Sequence, residues 1–184
     1  MNAISRLMGV LQISVAVLFL HAQAFALSPA QERDFKETTG NYVFVMLAPN
    51  HPGGWVQHDP EMRKIYKQSG LYRNDGSSTP LWTVDWYAFE VFPHFDGEHL
   101  VRMGGSWTAS TDHLAVSFYK NGKEIKSYRI KDLVHDESQL SRIIGYLYDW
   151  RGEIKYDSIN AVLFLKTLDN QAYRFSIRTG EILP

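Results

Sequence analysis

The spacing of hydrophobic positions changes along this chain, from one unbroken apolar run to short groups with strand-like alternation. Residues 7–20, LMGVLQISVAVLFL, are almost continuously apolar, and Arg6 is the only charge before Glu32. Small residues then recur at Ala22, Ala24 and Ala26, giving two small-x-small exits. A positive start, a short apolar core and such an exit predict a secretory signal peptide over residues 1–26. A membrane-spanning helix needs about 20 apolar residues, more than this run supplies, so no integral span is expected once the signal is removed. The polar stretch 27–40 is expected to be a flexible lead-in, with 41–184 a single β-rich domain.

From Asn41 onward, apolar residues come in short groups bounded by Gly, Pro, Asn and Asp. The segment 41–47, NYVFVML, is β-branched and aromatic, a strand pattern. Pro49, Pro52, Gly53 and Gly54 then break the chain into loop. Asp59-Pro60-Glu61 joins an N-cap aspartate to a first-turn proline and predicts a short helix over 60–67, ending near Gly70. Asp96-Gly97 and Asn121-Gly122 each lie between strand-like segments, and both dipeptides suit the positive φ angles of a type I′ hairpin turn. Asp169-Asn170 is a weaker third case. A second short helix is expected over 135–144 from an Asp136 cap. Hairpins at this density predict an all-antiparallel β fold, either a two-sheet sandwich or an open barrel, with one or two short helices.

Residues 169–183, DNQAYRFSIRTGEIL, resemble the blades of quinoprotein-type β-propellers, with Asn170 standing where that pattern has Gly. The resemblance implies a small or incomplete propeller as the alternative fold, since blades of related kinds take about 40–50 residues each. The blocks SGLYRNDGSSTPLWTVDWYA and LKTLDNQAYRFSIRTGEI are similar to a group of exported bacterial β-rich proteins of unassigned function. That similarity implies export and a β-rich domain, and it brings no reaction with it.

Charge and composition narrow the chemistry. The chain carries 19 Lys+Arg against 20 Asp+Glu, a balance without the basic footprint of a nucleic-acid partner. It has no cysteine, which excludes disulfides, thiolate nucleophiles, cysteine-held metals and a lipid-anchored cysteine. Stability must come from packing, which suits a chain that is 14% aromatic.

The residues that could carry chemistry are few. In PLWTVDWYAFEV (80–91), strand alternation puts Trp82, Val84, Trp86 and Ala88 on one face and Leu81, Thr83, Asp85, Tyr87 and Phe89 on the other. Two apolar faces predict a strand covered on both sides, so Asp85 would be buried. It is then either a general acid or base with a raised pKa, or a carboxylate tied to Arg73 or to backbone amides. A two-residue turn at Asp96-Gly97 would place His94 opposite His99, with Glu90 on the same face, a possible metal set. His51, His58 and Asp59 sit in a Gly/Pro-rich loop that could supply ligands. Ser106, in GGSWT, lacks the second Gly and the strand-to-helix setting of a nucleophile elbow, and Asp112-His113 does not complete a triad. Arg73 and Asp75, in RNDGSSTP, offer polar ligand contacts in what reads as a turn. Trp55 and Trp107, on loop-like segments, are the tryptophans expected to offer a stacking surface.

No cofactor is called for. These features favour an exported, non-catalytic β domain that binds or scaffolds in the periplasm or outside the cell, meeting a protein, peptide or glycan. The alternative is a small exported hydrolase using Asp85 or a metal held by His94, His99 and Glu90.

Overall fold

Strand segments pair mainly with their sequence neighbours, as the turn dipeptides require. In this computed structural model, which describes residues 31–51 and 56–184, they form antiparallel meanders. The expected signal peptide and Trp55 lie outside the described residues. The first meander runs Phe35–Thr39, Tyr42–Met46, Gly70–Arg73 and Trp82–Thr83. The second runs Val91–Pro93, His99–Met103, Leu114–Lys120 and Lys123–Arg129. The third joins Arg151–Asp157, Val162–Thr167 and Ala172–Ser176. A smaller antiparallel sheet links Trp107–Thr108, Leu147–Asp149 and Ser141–Ile144. Glu32–Arg33 pairs in parallel with Val56–Gln57.

Side-chain alternation stacks the meanders. Phe44, Met46 and Leu71 of the first pack with Val91, Leu100 and Tyr119 of the second. The opposite face of that second sheet, with Val101, Met103, Val116 and Phe118, packs on Leu163, Leu165 and Phe175 of the third. The middle sheet is therefore covered on both sides, and the all-β reading holds. The sheets pack face to face as in a sandwich, and none closes into a barrel among the described residues. The outer face of the first sheet, with Val43, Val45 and Tyr72, is capped by Met62 and Tyr66 at the helix Pro60–Ile65. That helix starts as its sequence dictates, with Asp59 Oδ1 accepting the amides of Glu61 and Met62 at 3.0 and 2.9 Å. No helix among the described residues is long and apolar enough to cross a membrane.

The structure differs from expectation in three segments. The domain begins before residue 41, because Phe35–Thr39 is an edge strand whose Phe35 lies opposite Met46. The segment 80–91 is not one strand: only Trp82–Thr83 joins the first sheet, and a strand resumes at Val91 in the second. Residues 84–90 are the irregular crossing between two stacked sheets. Their apolar character on both sides reflects that position: Val84, Trp86 and Ala88 enter the inter-sheet core, while Phe89 stays half exposed. The helix expected over 135–144 is a single 3-10 turn, Glu137–Gln139, capped by Asp136. The chain then enters the strand Ser141–Ile144, because Ile143 and Ile144 are β-branched and Gly145, at φ 53°, turns it back into Leu147–Asp149.

Candidate functional site

A cleft of about 610 Å³ opens where the crossing 84–90 meets the end of the strand His99–Met103. Its walls come from Tyr87–Glu90 on one side and Met103–Trp107 on the other, with His113, Leu114, Arg151 and Glu32 completing it. The Met103–Trp107 segment is pinned from below. Trp150, fully buried, donates its indole N–H to the Gly105 carbonyl at 2.7 Å. Gly104 runs so close to the next strand that a Cβ there would lie 1.8 Å from the Leu114 carbonyl oxygen. The rim is aromatic. Phe89 is 51% exposed and Trp107 37% exposed, and the Tyr87 ring meets Phe89 edge-on at 5.2 Å. Tyr87 is fixed by its hydroxyl, which accepts the Arg33 amide at 3.0 Å and donates to the Arg33 carbonyl at 3.1 Å.

Two guanidinium groups line this aromatic cleft. Arg151 Nη2 donates to Glu90 Oε2 at 2.6 Å. Arg102 lies over the Trp86 ring, its guanidinium carbon 4.4 Å from the centroid, and Nη2 reaches the Tyr87 carbonyl at 3.3 Å. Arg102 Nε and Arg151 Nη1 are buried and hydrogen-bonded to nothing among the described residues. Glu32 faces the same space, with His51 Nε2 at 3.4 Å from its Oε2.

The positions singled out in the sequence distribute as follows. Glu90 and Trp107 both line the cleft. Asp85 is exposed, beside Gln68, Ser69, Thr83, Val84 and Gly122, and neither Arg73 nor a described backbone amide bonds to it. The expectation of a buried Asp85 fails because its segment is a crossing and not a covered strand. Arg73 and Asp75 are exposed and lie outside the cleft, Asp75 accepting the Ser77 amide at 2.9 Å within its turn. Trp55 is outside the described residues.

His94 and His99 do stand opposite each other, since Pro93 pairs with Leu100 and the His94 amide donates to the His99 carbonyl at 2.8 Å. Their rings are 6.4 Å apart. The group between them is Asp96, whose Oδ2 accepts His99 Nδ1 at 2.8 Å and lies 3.0 Å from His94 Nδ1. His94 is fully enclosed and donates Nε2–H to the Ser158 carbonyl at 3.0 Å. Burial alone would raise the Asp96 pKa, but the Glu98 and His99 amides, the His99 ring and the His94 charge outweigh it and hold the carboxyl at about 2. Glu90 is engaged elsewhere, by Arg151. Among the described residues no three His, Asp or Glu side chains converge to hold a metal ion.

Of the loop histidines, His51 lies beside Glu32 and His58 serves a buried cluster. His58 Nδ1 lies 3.7 Å from Asp34 Oδ1, and Asp34 accepts both Arg63 Nε and Nη2, at 2.6 and 2.8 Å. The Ala48 and Asp59 amides also donate to it. Here too burial raises the carboxyl pKa, and the Arg63 bond with the two amides overcomes it, down to about 2. Ser106 and His113 share the cleft, yet no hydrogen bond joins them. His113 Nδ1 meets the Thr108 hydroxyl at 3.1 Å, and Asp112 is exposed and paired with Lys131. That geometry builds no nucleophile.

Sequence reasoning missed Arg102, Arg151, Tyr87 and Phe89 as site residues. One signal was available: Arg102 is a charge inside the otherwise apolar run LVRM. Comparison of this chain with protein-family models, curated proteins and solved structures found no match, so its function is argued from this geometry.

Proposed function

We propose that this chain is an exported, non-catalytic β domain that binds a peptide in the cleft between residues 87–90 and 103–107. The observation that carries the reading is the cleft itself: about 610 Å³, with a half-exposed Phe89 and Trp107 at its rim. Ligand sites commonly occupy roughly 300–1,000 Å³ and combine an apolar wall with a few placed polar groups. Ala88, Phe89, Met103, Trp107 and Leu114 form such a wall. Glycan hydroxyls carry no charge and would leave the Arg102 guanidinium in this lining without a counter-ion, which a peptide carboxylate can supply. The peptide is therefore favoured over the glycan. The hydrolase alternative draws no support from its own residues, because Asp85 is exposed, Glu90 is tied to Arg151 and the two histidines are tied to Asp96. Export rests on the signal-peptide pattern at residues 1–26.

Backbone amide NMR spectra recorded with a panel of short peptides and neutral oligosaccharides test the reading. Peptides ending in apolar residues are expected to shift Tyr87–Glu90 and Met103–Trp107 together with the Trp107 indole N–H. If no peptide in the millimolar range perturbs these residues, or if only oligosaccharides do, the reading is wrong.

A further inference from the structure

We infer that the cleft recognises a carboxylate through Arg102, and that its ligand is a peptide presenting a free C-terminus on an apolar last residue. The inference rests on the peptide-binding reading above and names the chemistry of its ligand. Arg102 is a cation without a counter-ion. No carboxylate of the described residues lies within 4.0 Å of it, whereas Arg63 and Arg151 each hold one. Residues 1–30 and 52–55 contain no Asp or Glu, so no acidic side chain elsewhere in the chain can supply the partner. A partly buried guanidinium in this position carries a desolvation cost that a hydrogen-bonded anion offsets. What holds Arg102 in place is the face of Trp86 and one long bond to the Tyr87 carbonyl. Both contacts fix the plane of the guanidinium; Nε–H is buried and unpartnered, and Nη1 makes no hydrogen bond among the described residues, so the Nη edge keeps donors for an anion.

The surrounding charges decide which anion fits. Glu90 and Glu32 face the same cleft, and they repel a multiply charged group such as phosphate more than a single carboxylate. The planar fork of arginine matches a carboxylate in two-point contact. Beside it, Ala88, Phe89, Met103 and Trp107 offer an apolar wall for the residue that carries the carboxylate. A C-terminal residue with an aromatic or aliphatic side chain presents both features from one position.

Isothermal titration of the purified protein with N-acetyl-Ala-Ala-Phe as the free acid, the same peptide amidated at its C-terminus, and inorganic phosphate tests this. The free acid is expected to bind about tenfold more tightly than the amide, the ratio for one charge-assisted hydrogen bond. Arg102→Gln should abolish that preference, acid and amide then binding with equal affinity, and Arg102→Lys should keep part of it. Glu90→Gln removes a repelling charge and releases Arg151, so it should tighten acid binding about threefold or more. Misfolding cannot produce such a gain. Equal affinity for acid and amide, with both still perturbing the cleft, would overturn the carboxylate assignment and leave the binding reading standing. Preference for phosphate, or an acid preference unchanged in Arg102→Gln, would overturn the assignment as well. Failure of both peptides to perturb the cleft removes the assignment together with the reading beneath it.

Discussion

Asp34 and Asp96 illustrate, at the scale of single residues, how carboxylates are kept charged inside a domain that has no disulfide to brace it. Each accepts at least two backbone amides, and each meets basic side chains: Arg63 and His58 for Asp34, His94 and His99 for Asp96. Each is held at about 2, against an ordinary value of 3.8. A depressed folded-state pKa gives stability that is fully present above the unfolded value and lost as pH falls through the folded one. Acid should therefore weaken this protein between about pH 4 and pH 2. Urea unfolding of the wild type across that range should show a steeper fall in midpoint than Asp34→Asn or Asp96→Asn, with the curves converging near pH 2. Parallel curves would show that these carboxylates do not carry the acid sensitivity. The sequence pointed to a different carboxylate, Asp85, because aromatic residues surround it in the chain. Asp34 sits between Arg33 and Phe35 in a polar stretch, and its partners come from residues 48, 58, 59 and 63. Only the folded chain brings those together.

At the scale of elements, local signals were legible where local chemistry decides the outcome. Asn121 and Gly122 take φ 49° and 77°, the pair of positive angles that a type I′ turn demands. At Asp96-Gly97 only the glycine is positive, at 77°, because the Asp96 side chain is recruited to the Glu98 and His99 amides and to His99. The hairpin register survives that change of turn, so the expected His94–His99 pairing held. The crossing 84–90 was illegible for the opposite reason. An apolar segment packed between two sheets has the same composition as a covered strand, and only pairing partners distinguish them. The Met103–Trp107 segment depends likewise on tertiary contact. Gly104→Ala would push a methyl into the Leu114 carbonyl, and overpacking of this kind costs about 1–3 kcal/mol. Urea unfolding should register that loss, and the amide resonances of Met103–Trp107 should move with it. A variant of wild-type stability with an unchanged cleft would contradict the close packing that positions the loop.

At the scale of the molecule, three meanders stacked through shared apolar faces leave their connections at the sheet edges, and the cleft is built from such connections. The two segments that form it both adjoin the middle sheet, one entering at Val91 and one leaving at Met103. That arrangement gives an aromatic-rimmed recess holding an arginine with which no carboxylate among the described residues pairs. Trp107 was singled out in the sequence as an exposed loop aromatic and Glu90 only as a metal ligand beside His94 and His99, while the cleft was not legible: aromatic loop residues are visible singly, but their convergence with Arg102 and Arg151 depends on how sheets stack. The most direct test of the binding account is a crystal structure of the protein with N-acetyl-Ala-Ala-Phe. The account predicts the peptide in the cleft, its C-terminal carboxylate on Arg102 and its last side chain against Phe89 and Trp107. A peptide bound elsewhere, or one in the cleft with its carboxylate turned to solvent, would contradict it.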